Sequence, residues 1–414
     1  MTLERKTGIV IAILGWIAIA SLTLRPHPAD AGQVVDLPLN CLVCGESGAQ
    51  DVVLNILLFV PLGIGLGLWR VPRRRAILAV VLTTLCVETI QFAFLAGRDA
   101  SLSDVMTNSA GGLLGIAAGW NWLWLVQPGP RHAQLLAWLA AAFWLATLAG
   151  TGVLLAVRLP ETVYFGQWAP QLGQFDQFPG KVESVTLNGR TLPGQRMMDS
   201  PRVRAVLESD SFTVSVRAVA GALTERIAPM ISIFDDHEQE ILVLGQWRHG
   251  LVFRLRSRAS GILLREPAVA LGRVFSGKAP DSIEVSATVE RGHVTLRAAS
   301  AGNPARTIEL DRTPAWGWTF LIPGTMAFGS AINLLSGVWL GALILPFGFW
   351  LGRAEVGWLV APACGVIIVL GLAGIPLLTH MPAVGLPGWL GTVAGVLAGA
   401  GVARIIPELS ARRT

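Results

Sequence analysis

The chain has 414 residues, of which 52% are hydrophobic and only 14% charged, with a mean hydropathy of +0.57. A soluble domain of ordinary composition carries about a quarter charged residues, so a wholly soluble protein is excluded and a multi-pass membrane protein is predicted. The formal net charge of +5 is spread over short loops without a long basic run interleaved with aromatics, which argues against a nucleic-acid partner.

Eight apolar runs approach the length of about 20 residues that crosses a bilayer: roughly 8–24, 51–69, 76–96, 105–126, 135–157, 321–350, 357–378 and 388–407. The first reads as a retained helix, because Arg25, Pro26 and His27 follow it without a small-residue cleavage site. The sixth is too long for one crossing and is expected to begin nearer Met326, with Pro346 shortening or kinking it. Basic residues in short loops mark the cytoplasmic side. Arg5, Lys6, Arg70, Arg73, Arg74, Arg75, Arg131, Arg353, Arg404, Arg412 and Arg413 all fall on one side if both termini are cytoplasmic. Residues 158–318 then lie outside.

Four cysteines are too few for a disulfide scaffold. Cys86 and Cys364 sit in apolar helices as small buried hydrophobes. Cys41 and Cys44 form a CxxC in the first outer loop. A local disulfide can persist outside the cytoplasm; a pair of free thiols is the other reading. A thioredoxin-like redox pair lacks its βαβ setting, and no further metal ligands stand nearby.

Between residues 51 and 111 an otherwise hydrocarbon stretch carries Asn55, Glu88, Gln91, Arg98, Asp104 and Asn108. Polar and ionisable groups at membrane depth are costly and point to a function. The topology places all six near the outer surface, and the i, i+3 spacing of Glu88 and Gln91 puts them on one helix face. Small-residue tracks at Gly63 and Gly67, and at Gly111, Gly115 and Gly119, allow these helices to approach closely; Gly391, Gly395 and Gly399 form another in the last span. One reading is packing, with Arg98 paired to Glu88 or Asp104 and the amides bonded across helices. The favoured reading is a ligand pocket in which Arg98 clamps a phosphate or carboxylate, with Asn55, Gln91 and Asn108 as further ligand contacts. Catalysis would give Glu88 and Asp104 acid–base roles. No HExxH, Walker A or GxSxG motif is present, and the six histidines are scattered, so no metal is assigned to the membrane region.

From Arg158 to Trp318 the pattern changes to period-2 alternation, as in Phe212, Val214 and Val216, in Leu251, Phe253 and Leu255, and in Val285, Ala287 and Val289 before a turn and Val294, Leu296 and Ala298. Asn188–Gly189 is a hairpin signal. No helical stripe competes, and an antiparallel β-sandwich of jelly-roll type is predicted. Asp235, Asp236, His237, Glu238 and Glu240 are oxygen-rich enough for calcium, although acidic residues at such a turn ordinarily serve solvation. Trp168 and Trp247 are candidates for stacking on a sugar, against ordinary packing.

The segments "SFTVSVRAV", "APMISIFDDHEQEILVLGQWRHGLVFRLR" and "IEVSATVERGHVTLRA" resemble the concanavalin A-like, laminin-G-like sandwich family over about residues 160–315, which implies glycan or protein binding, sometimes with calcium. The pattern Asn55-xxx-Phe59-x-Pro61-x-Gly63, Glu88-xx-Gln91, and Arg98 with Asp104-xxx-Asn108-xx-Gly111 resembles the VanZ-like family over about residues 8–157. That resemblance implies a bacterial cytoplasmic-membrane protein of the cell envelope; the namesake is associated with resistance to the glycopeptide teicoplanin. The sandwich and three extra spans depart from the small namesake. The domains expected are therefore 1–157, 158–318 and 319–414. The function expected is binding of a membrane lipid or lipid-linked envelope precursor, together with a surface glycan or envelope protein. An enzyme modifying envelope lipids and a transporter are the alternatives.

Overall fold

The apolar runs fold as helices bounded by arginine, proline and glycine. The computed structural model describes residues 2–24, 48–95, 101–171, 175–277, 281–300, 303–322, 326–354 and 360–406. Two units emerge, one resting on Met1–Gly129 and the other on Pro130–Gly261 with Glu266–Pro407.

The first unit contains α1 (Leu3–Thr23), α2 (Gly48–Leu68), α3 (Arg73–Phe94), α4 (Leu102–Trp120) and a short α5 (Trp122–Val126). Lipid tails are as apolar as leucine, so such helices associate through close packing of small residues. A Cβ on Gly63 would overlap the Gly112 carbonyl oxygen, one on Gly111 that of Ile56, and one on Gly115 that of Val60. The glycine tracks of α2 and α4 therefore interlock backbone to backbone. Against α1, a Cβ on Gly65 would overlap the Ala12 backbone. Phe59, Leu62, Leu66, Val80, Val87 and Ile116 fill the core between the helices. Leu14, Leu57, Leu82 and Leu114 face outward, as does Cys86, which the sequence had suggested was buried.

The second unit opens with α6 (Pro130–Leu155) and continues into the β region: β1 (Phe165–Trp168), β2 (Lys181–Leu187), β3 (Arg190–Thr191), α7 (Ser200–Leu207), β4 (Ser211–Ala220), β5 (Ala228–Phe234), β6 (Glu240–Trp247), β7 (Gly250–Leu255), β8 (Ala268–Leu271), β9 (Asp281–Glu290), β10 (His293–Ser300), β11 (Asn303–Asp311) and β12 (Ala327–Phe328). They form two six-stranded sheets, β1-β5-β6-β7-β8-β12 and β11-β10-β9-β4-β2-β3, antiparallel except for the β8–β12 pair. Alternation along β4 puts Phe212, Val214 and Val216 inside, opposite Val289, Ala287 and Val285 of β9. β5 is buried at all seven positions, so its sheet is covered on both faces, and Val252 of β7 is as buried as Leu251 and Phe253. Two of the hairpin turns carry positive φ at both central residues, as tight turns need: Asn188 at 47° and Gly189 at 76°, Arg291 at 46° and Gly292 at 85°. Helix α7 was not expected; its proline in the first turn suits a helix start.

The chain leaves the sheets through a buried 3₁₀ segment, Pro314–Leu321. It then forms α8 (Ala331–Arg353), α9 (Val360–Val369), a π-helical turn (Leu370–Gly374), α10 (Ile375–Leu378) and α11 (Leu386–Ile405). α8 begins later than the hydropathy suggested, because the preceding residues are taken up by the 3₁₀ segment and β12, and it runs through Pro346 to Arg353. Gly391 meets the Gly337 carbonyl and Gly395 that of Gly341, so α8 and α11 repeat the glycine packing of α2 and α4. Trp144 of α6 is fully buried against Gly371 in the π turn.

Among the described residues, seven helices are long and apolar enough to cross a membrane, not the eight expected. The exception is α4, whose Ser103, Asp104, Thr107, Asn108 and Ser109 lower its hydropathy. Asp104 turns toward α2 and Asn108 toward α3.

Candidate functional site

The site is built where α2 and α4 begin and α3 ends. Ser101 caps α4, its Oγ accepting the Asp104 N–H at 3.1 Å. In a capping box an acid three residues on reaches back to the cap residue's own N–H. Here Glu88 of α3 takes that N–H at 3.1 Å. The Asp104 carboxylate instead accepts the Asn55 amide of α2 at 2.6 Å. One cap thus ties three helices.

One turn deeper, the Asn108 amide donates to the Thr84 hydroxyl at 3.0 Å, and Asn108 is only 2% exposed. Its Oδ1 is buried without a hydrogen-bond partner. Gln91 turns to α1 and donates to the Thr23 carbonyl at 3.0 Å, satisfying one of the carbonyls left open at that helix end. Glu88 and Gln91 are both buried. Arg98, Cys41 and Cys44 lie outside the described residues.

Thr84 and Ser101 were missed in the sequence, though both left a signal. Thr84, Glu88 and Gln91 stand at i, i+4 and i+7, one helix face, and Ser101-x-x-Asp104 is a capping spacing. Gln50, at the start of α2, is 1% exposed with an unpartnered Nε2.

A second polar cluster closes the opposite end of the unit. Arg70, held at φ 62°, pairs with Glu4 at 2.7 Å and donates to the Trp120 carbonyl at 3.1 Å. Trp122 Nε1 also donates to Glu4, at 2.7 Å. Arg70 and Arg73 both stand over the Trp120 ring, at 5.3 and 5.2 Å. Trp120 and Trp122 thus hold the helix ends together.

The sandwich candidates are bound into its own framework. Asp235, Asp236 and His237 bring ligand atoms within 4.8 Å of one another. However, Asp235 accepts the His237 and Gln239 N–H groups and pairs with Arg256 at 3.2 Å, and Glu240 pairs with Arg254 at 3.3 Å. Trp168 and Trp247 donate to the carbonyls of Leu192 and Glu225. The single tyrosine, Tyr164, is a strut: its hydroxyl reaches the Pro160 carbonyl at 2.8 Å, and burial pushes it up to about 12.

A charged group that the sequence did not reveal lies where the sandwich meets α6. Arg312 is 7% exposed and donates to the Leu155 carbonyl at the end of α6 at 2.8 Å. Burial pulls its pKa down to about 10, with Glu266 opposing. Glu266, which accepts the Ser257 N–H, is pushed up to about 7 by burial and by Glu240.

Residues 11–125 match the model of the VanZ/LLP1 family. The match spans the six polar positions singled out in the sequence, and with the seven apolar helices it marks a multi-pass membrane protein with a VanZ-like region. No curated protein and no solved structure matches the chain.

Proposed function

We propose that the protein is a bacterial cell-envelope membrane protein whose VanZ-like region binds the polar headgroup of a lipid-linked or anionic envelope ligand. Asn55, Glu88, Gln91, Arg98, Asp104 and Asn108 are the residues assigned to this role. The observation that carries the reading is Asn108, buried between helices with an unpartnered Oδ1 one turn below the Asn55–Asp104 contact. An unsatisfied buried acceptor costs about 1–3 kcal/mol, and a bound hydroxyl or amide would relieve that cost. Both termini are assigned to the cytoplasm and the sandwich to the outside of a bacterial inner membrane. α4 completes the bundle as a span whose polar face is shielded by its neighbours.

The sandwich, read as concanavalin A-like or laminin-G-like, would recognise a surface glycan or envelope protein. A relation to glycopeptide (teicoplanin) resistance rests on the family resemblance alone. The test is mass spectrometry of ligands co-purified with the intact protein in mild detergent. A headgroup-bearing ligand retained by the wild type and lost in Asn108→Leu and Asp104→Asn supports the pocket. Equal recovery from all three folded proteins leaves the cluster a packing device.

A second reading is an enzyme acting on envelope lipids. It is favoured by the two carboxylates, Glu88 and Asp104, brought to the same helix N-terminus. Turnover of a lipid substrate that Glu88→Gln slows without weakening binding would establish it; unchanged turnover removes Glu88 from the chemistry.

A further inference from the structure

We propose that the arginine-rich end of the first unit, opposite the Asn55–Asp104 cluster, binds the headgroup of an anionic phospholipid. Three segments of chain meet there: the start of α1, the turn between α2 and α3, and the end of α4. They are joined by the Glu4–Arg70 ion pair, the Trp122–Glu4 hydrogen bond and the stacking of Arg70 and Arg73 on Trp120. Arg5, Lys6, Arg73, Arg74 and Arg75 are all exposed at this end. Glu4 is the acid of the cluster, and its carboxylate is already used by Arg70 and Trp122. Among the described residues, no carboxylate meets Arg5, Lys6, Arg74 or Arg75.

The placement of these charges is costly unless an anion is present. Arg73, Arg74 and Arg75 open α3, which has no acidic residue in its first turn and no side-chain cap. Cations at a helix N-terminus oppose its dipole, and three adjacent guanidiniums repel one another. Exposed Trp69 and Trp124 border the cluster in the chain, at 37% and 46% exposure, as side chains do at the membrane–water boundary. The patch therefore stands at the level where lipid phosphates lie, and basic clusters at that level attract anionic headgroups. A phosphodiester carrying net negative charge, facing several guanidiniums able to donate in pairs, complements it. A zwitterionic headgroup carries its own cation and does not.

The experiment uses the full chain in mild detergent, stripped of lipid. Phosphatidylglycerol, phosphatidylcholine and inorganic phosphate are added separately; retained lipid is counted by native mass spectrometry and Tm is recorded. Wild type should retain phosphatidylglycerol at least threefold over phosphatidylcholine and gain Tm with it alone. Arg74→Gln/Arg75→Gln should lose at least half of that retention, while Arg74→Lys/Arg75→Lys keeps most of it. Because both side chains are exposed, the fold does not depend on them, and an unchanged Tm of the lipid-free variants checks this. Equal retention of the two lipids, or unaltered retention in the glutamine variant, overturns the proposal. So does an equal gain in Tm from inorganic phosphate, which would mark a free-anion site instead.

Discussion

The Glu88 carboxylate of one helix accepts the Ser101 backbone N–H that begins another, at 3.1 Å. It stands where a capping acid of the same helix would ordinarily reach. Replacing Glu88 therefore acts on α4 as much as on α3. Glu88→Ala should lower stability in detergent by about 1–2 kcal/mol, the usual worth of a lost cap. Glu88→Gln, which keeps an acceptor, should cost about half as much or less. Thermal unfolding followed by circular dichroism decides it; equal losses would show that the cap contact is not what the side chain supplies.

Asn55 and Asp104 should behave as one unit. Asp104→Ala leaves the Asn55 amide without its acceptor at 2.6 Å, and Asn55→Ala removes the same bond from the other side. In a double-mutant cycle the two changes should couple by about 0.5–2 kcal/mol. Strict additivity would mean that the pair does not hold α2 to α4.

Gly63 and Gly115 set the distance between those helices. A Cβ at either one meets backbone across the interface, and backbone cannot rotate away as a side chain can. Gly63→Val and Gly115→Val should each reduce folded, detergent-stable protein, by about 1–3 kcal/mol or more. Gly150 of α6, with open space around its added Cβ, is the control position: Gly150→Ala should leave yield and Tm unchanged. Size-exclusion profiles of the three variants measure the difference.

The pH response of the sandwich junction has a definite sign. The Glu266 carboxyl stands at about 7 against an ordinary 4.5, so folding favours its neutral form. That contribution to stability is complete below about pH 4.5 and fades as pH rises through 7. The charged groups facing it are Glu240, Arg254 and Arg312. Glu266→Gln, which mimics the neutral acid, should be more stable than wild type at pH 8 by about 1–3 kcal/mol. The difference should vanish near pH 5. Parallel Tm–pH curves for the two proteins would refute the assignment.

Much of the architecture was legible because each signal is local. The helical runs, the alternation of Phe212, Val214 and Val216, and the turn between β9 and β10 are written in adjacent residues; the register that the turn leaves, Val289 opposite Val294, comes from the structure. What failed was also local in origin. α7 is short, and its eight residues give no long apolar stripe. α4 looked like an independent span, yet its polar residues make it depend on α2 and α3. The start of α8 was misplaced because an apolar 3₁₀ segment buried in protein looks the same in hydropathy as one buried in lipid.

The sequence by itself determined the solvent of each part: hydrocarbon for the helical runs, water for the alternating strands, and an unusual cost wherever a carboxylate or amide sits among leucines. Only the tertiary structure decided the partners. Asn55 lies 49 residues from Asp104 and Arg312 lies 157 from Leu155, and no spacing along the chain encodes such meetings. They are fixed by how closely glycine-faced helices approach and by where one helix end falls beside another, because a hydrogen bond forms only within about 3 Å and packing across the fold sets that distance.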